Sequence, residues 1–163
     1  MAKASFTFQR NITDNTRWQD YITKFHNALV ASGLTYIPIA GDLSLSSNRP
    51  ANGTFVGQRL YAFSDYDQAS YPIYVTWAPV VVRSQDVPTY VIACGFSYNP
   101  TTGALTGNYS PGLWVSNLTT QPTDGDSQTR VCHGNGYLHI LHNTGDSTGN
   151  QRYNGACSVI ERP

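Results

Sequence analysis

Ser5 to Gln9 alternate the apolar Phe6 and Phe8 with polar neighbours, a period of two that predicts an extended arm or short strand over residues 1–10. Such a segment can pair with its own sheet or with a neighbour's. From Trp18 the period lengthens. Trp18, Tyr21, Ile22, Phe25, Ala28, Leu29 and Ser32 fall three and four residues apart, which puts the large side chains on one stripe of a helix. Asp14, Asn15 and Thr16 offer oxygens to the unpaired amides of its first turn, and Thr16 with Gln19 has the spacing of a capping box. Gly33 is a natural left-handed terminator, so the helix is expected over about 15–32.

Beyond Gly33 the pattern returns to period two. Leu34 to Ile39 is a short extended piece, and Gly41 to Gly57 is a polar Ser/Asn/Gly/Pro loop. Strand candidates then follow at Gln58–Ser64, Ile73–Val82, Thr89–Tyr98, Gly112–Leu118, Arg130–His133, Gly136–His142 and Ala156–Glu161. Turn residues separate them at Asn99–Gly103, Pro122–Asp126 and Asn143–Asp146. Pro72, Pro79 and Pro88 cannot donate to a ladder and are expected at edges or strand ends. Short strands with regular turns predict a mainly β fold: an antiparallel β-sandwich or flattened barrel with one N-terminal amphipathic α-helix packed on it. The division is an extended arm at 1–10 and a single domain at 11–163.

Composition agrees with strands and turns. Among 163 residues there are 11 Tyr, 14 Gly and 9 Pro, and a single Glu, Glu161, among the ten acidic residues. Ten cationic residues balance the ten anionic ones, so no long-range field draws in nucleic acid or an anionic membrane. The charged fraction of 12% is about half that of an ordinary domain, and the strand candidates carry little of it. This leaves either an Asn/Ser/Thr-coated surface or a surface covered by partners. No apolar run is long enough to span a bilayer, and the start lacks the apolar stretch of a signal peptide, so synthesis in the cytoplasm is expected. Cys94, Cys132 and Cys157 are odd in number and widely spaced, and read as buried thiols.

The chemistry-bearing residues form no recognisable set. Cys132, His133, His139 and His142 cluster, but on a strand His139 and His142 point to opposite faces, which breaks a two-ligand pair. His26 follows Phe25 on the helix and reads as a solvent-facing or interface residue. No nucleophile elbow, papain-type cysteine turn, glycosidase-like carboxylate pair or phosphate-cradling glycine run is present. Asp65-Tyr66-Asp67 and Asp124-Gly125-Asp126 match no EF-hand loop and read as turn residues. No catalytic residue, metal or cofactor is therefore assigned. The Tyr and Trp side chains between Tyr61 and Trp114 suit a sheet core first, then a protein interface, then a carbohydrate platform.

Three stretches share a cadence: Gly41-Asp42-Leu43-Ser44, then Gly57 to Asp65, then Tyr71-Pro72-Ile73-Tyr74-Val75-Thr76-Trp77, with a later Gly103-Ala104-Leu105-Thr106-Gly107 turn. Over residues 16–110 this resembles small bacteriophage and prophage virion proteins. Thr76-Trp77-Ala78-Pro79 stands where that group runs Lys-x-Glu-Tyr-Gly. The resemblance implies a non-enzymatic particle component of tail, neck or head surface, located in the virion, whose partners are other virion proteins and copies of itself. It carries over no active-site residue. The interface candidates are Phe6 and Phe8, as an arm that adds a strand to a neighbour, together with Tyr66, Tyr71 and Tyr109. The alternative is a glycan-binding or glycan-cleaving β module, for which a host-surface glycan would be the partner.

Overall fold

The computed structural model describes residues 2–9, 11–82, 86–106, 113–116, 126–145, 151–152 and 157–161. In chain order the strands are β1 (Ala2–Gln9), β2 (Thr35–Ile37), β3 (Arg59–Ala62), β4 (Tyr74–Val82), β5 (Val87–Gly95), β6 (Ser97–Tyr98), β7 (Leu105–Thr106), β8 (Leu113–Ser116), β9 (Asp126–Gly134), β10 (Tyr137–Gly145), β11 (Gln151–Arg152) and β12 (Cys157–Glu161). A helix, α1 (Asn15–Ala31), lies between β1 and β2, and a 3-10 turn, Tyr66–Ala69, between β3 and β4. The pairs among these strands are all antiparallel. One sheet runs β1-β9-β10, with β11 and β12 both pairing β10; the second runs β2-β3-β4-β5-β8; β6 and β7 form a separate hairpin. This is the mainly β sandwich with one helix that the periodicity predicts.

Each sheet turns one face inward. In the second sheet Tyr61 and Phe63, Val75, Trp77 and Val81, and Tyr90 and Ile92 share the inner face; in the first, Phe8, Val131, Leu138 and Ile140 do. The stripe of α1 enters between them. Phe25 lies 5.3 Å from Phe6 of β1, and 4.7 and 4.9 Å from Trp77 and Tyr90 of the opposite sheet. Burying six side chains of α1 at about 25 cal/mol per Å2 is worth several kcal/mol, enough to seat an amphipathic helix. Its N-cap is Asp14, whose side chain accepts from Arg17 N at 2.9 Å; the expected capping box is not made, because the helix starts at Asn15 and leaves Thr16 inside the first turn, while Gln19 donates to the carbonyls of Ser46 and Ser47. The helix ends as Gly33 predicts. Gly33 has φ 102°, and its amide and that of Leu34 bond back to Val30 and Leu29, which closes a Schellman motif.

Three expectations are corrected. The first segment is no free arm: β1 pairs with β9 over its whole length, from Ala2 opposite His133 to Gln9 opposite Asp126. Phe6 and Phe8 face inward because the inner side of that sheet has Tyr21 and Phe25 to bury them against, so neither is presented to a neighbour. The domain therefore begins within residues 1–10. Second, Pro79 stands mid-strand. Val81 O accepts from Gly53 N at 2.7 Å, so at Val81, and two residues back at Pro79, the backbone faces away from β5. There β3, which begins only at Arg59 opposite Trp77, does not reach Pro79, and no donor is missed. Third, Asn143-Thr144-Gly145 continues β10 instead of turning, held by pairing with β9 and β11. Of the thiols, Cys94 and Cys132 are half-buried, less enclosed than expected, and the side chain of Cys157 lies outside the described residues.

Candidate functional site

Of the exposed residues singled out in the sequence, Tyr66 and Tyr71 are 81% and 65% exposed, while Tyr109 lies outside the described residues. Both tyrosines sit on the link between β3 and β4, which is tied at several points. Its base is closed by Phe63 N donating to Ile73 O at 3.0 Å, and the Gln68 carboxamide brackets Ile73, accepting from its amide at 2.9 Å and donating to its carbonyl at 3.2 Å. Gly136 N, in the turn between β9 and β10, donates to Asp65 Oδ2 at 2.8 Å, and Ser64 Oγ donates to Gly33 O. The two rings thus project from a segment fastened to both sheets.

A second arrangement, not singled out in the sequence, lies where α1 crosses the inner face of the second sheet. Arg59 opens β3 in phase with Tyr61, so it shares the inner face and is 8% exposed. Gly57 explains how the neighbouring loop reaches it: at φ 137° its missing Cβ would meet Gly41 O and Leu43 N at 3.2 Å, so glycine lets Gly41–Leu43 lie against the start of β3. Leu43 N then donates to Gln58 O at 3.0 Å, and Leu43 O accepts from Arg59 Nε at 2.9 Å. The guanidinium carbon stands 4.8 Å from the centre of the Tyr36 ring, a cation–π distance. The signal that would have found it is a lone cation in phase with Tyr61 and Phe63.

Around Arg59 the titratable groups are held away from their ordinary behaviour. Burial, with Arg59 second, lowers His26 to about 4, so it is neutral at neutral pH. Burial raises Tyr61, so its hydroxyl stays protonated and shares a hydrogen bond of 2.9 Å with His26 Nδ1. His26 is therefore half-buried against Tyr61, less open than a purely solvent-facing residue. Burial also raises Asp42 against the pull of Arg59, and Asp42 Oδ1 is sealed with no hydrogen-bond partner among the described residues.

Arg59 lines an open cavity of about 570 Å3 with Gln19, Asp20 and Thr23 of α1 and Ser44, Leu45 and Ser46 of the following loop. That loop is stitched to the helix by Trp18 Nε1 donating to Ser47 Oγ at 3.1 Å and by Gln19 Nε2 donating to Ser46 O at 3.1 Å. A second cavity, about 580 Å3 and mainly apolar, is bordered by Ile39, Phe55, Gly57, Ala78, Val91 and Thr102. In β9 and β10, His139 stands opposite Cys132 and His133 opposite Leu138, on alternate faces; among the described residues no three His, Cys, Asp or Glu come together as a metal site. No described helix is long and apolar enough to cross a membrane.

These features define a mainly β sandwich with a helix wedged between its sheets. No model of a known protein family, no curated protein and no solved structure matches the chain.

Proposed function

We propose that the chain is a structural component of a bacteriophage particle, at the tail, neck or head surface, that works by assembling with copies of itself and with other virion proteins. The observation that supports this reading is the fastened link carrying Tyr66 and Tyr71. Large aromatic side chains held at the surface by a pre-ordered segment lose little entropy on docking, which is the character of interface anchors. The low charged fraction agrees, because the centres of protein interfaces are poor in charge and rich in Tyr. Partners of repeated copies would cover such a surface symmetrically.

Replacing both rings, Tyr66→Ser with Tyr71→Ser, tests it. Both are exposed, so the variant should fold with unchanged thermal stability, and its incorporation into particles should fall by about tenfold or more when it competes with the parent chain. Equal incorporation would refute the reading.

A further inference from the structure

The cavity at Arg59 has a property that assembly does not account for. Arg59 is more than nine-tenths buried, and its Nε is taken by Leu43 O, yet among the described residues Nη1 and Nη2 meet no acceptor. No described carboxylate lies within ion-pair distance of it: Asp20 is paired with Lys24 at 2.7 Å, and Asp42 is near enough to be influenced but makes no bridge. A buried guanidinium with two parallel donors unused is costly unless something completes it. Those nitrogens are not sealed in the way Asp42 Oδ1 is, and the residue lines the cavity.

The rest of the lining narrows what would complete it. Two parallel N–H donors match a carboxylate in fork geometry. Thr23, Ser44 and Ser46 present hydroxyls that donate and accept, and Asp20 presents an acceptor. Ser44 and Ser46 are already 2.9 Å apart, a pair aligned for neighbouring hydroxyls. One negative charge is welcome at Arg59, while a second would meet the carboxylate of Asp20, which disfavours phosphate monoesters. The volume falls within the range of small-molecule sites.

We infer that this cavity binds a carboxylate-bearing sugar of the uronic or sialic acid class, with the carboxylate on Nη1 and Nη2 of Arg59 and the ring hydroxyls on Asp20, Thr23, Ser44 and Ser46. The inference stands apart from particle assembly, because different residues carry it.

Calorimetric titration of the full chain with glucuronic acid and N-acetylneuraminic acid, against glucose, acetate and inorganic phosphate, decides it. At least one acidic sugar should bind about tenfold or more tighter than each of the three controls. Arg59→Lys, which keeps the charge and loses the fork, should weaken that binding by about tenfold. Thr23→Val, close in shape and on the rim, should weaken it severalfold and keeps the test valid should the Arg59 variant fail to fold. Binding of acetate or phosphate as tight as that of the sugars would overturn the assignment, as would acidic sugars no tighter than glucose, or undiminished binding by Thr23→Val.

Discussion

Replacing Phe8 by Ala separates a strand built into the core from an arm that merely lies along it. The side chain is 2% exposed, with its ring 4.9 Å from Tyr21 and 5.7 Å from Phe6. Truncating a buried Phe removes its transfer free energy and leaves a cavity, together about 3–5 kcal/mol, part of which is the ring–ring contact. A domain of this size holds only about 5–15 kcal/mol in all, so the change takes a large fraction of the total. With a urea slope of about 2 kcal/mol per M, the unfolding midpoint should fall by roughly 2 M. Thr7→Ala is the matched control, since it is exposed on the same strand and should shift stability by less than about 0.5 kcal/mol. Equal midpoints for Phe8→Ala and Thr7→Ala would refute the placement of β1 in the core.

Two further outcomes follow from the same structure. His26 is lowered from 6.5 to about 4, so the unfolded chain takes up its proton first and stability, full above pH 6.5, is lost as the pH falls toward 4. Each tenfold loss of proton affinity corresponds to about 1.4 kcal/mol; halved because the ring is half-exposed, the contribution of His26 is about 1.5 kcal/mol. The parent should therefore lose that much more than His26→Gln between pH 7 and pH 4 in urea unfolding; equal losses would contradict it. Arg49 ties three segments: it donates to Ile12 O, to Asn52 Oδ1 at 2.6 Å and to Asp86, whose φ of 56° places it in the left-handed region. Arg49→Ala should cost about 1–3 kcal/mol, and Arg49→Lys should recover less than half of that in thermal unfolding, since an ammonium cannot span the fork.

Where a stretch had one buried face, its period revealed it. The α1 stripe, the Schellman end at Gly33 and the strands around Trp77 and Tyr90 were legible because burial and backbone conformation act on neighbouring residues. What was not legible depended on distant partners. Phe6 and Phe8 alternate identically in an arm and in a sheet, and only the presence of β9, more than a hundred residues on, decides between them. Pro79 looked like a strand end because nothing local shows that β3 stops two residues short of it. Gln19 serves no capping box and bonds Ser46 and Ser47 instead, contacts set by how a distant loop folds. Arg59 was hidden for the same reason: its burial comes from Gly57 letting Leu43 approach, and from a helix some forty residues earlier crossing over it.

The central claim, that this chain is built into a phage particle, is tested most directly by quantitative mass spectrometry of intact particles purified by density gradient from cells that produce it. The account predicts peptides of this chain co-sedimenting with the particles in fixed, multiple-copy ratio to the other virion proteins. Particles free of the chain, with the protein left entirely in the soluble lysate, would contradict it.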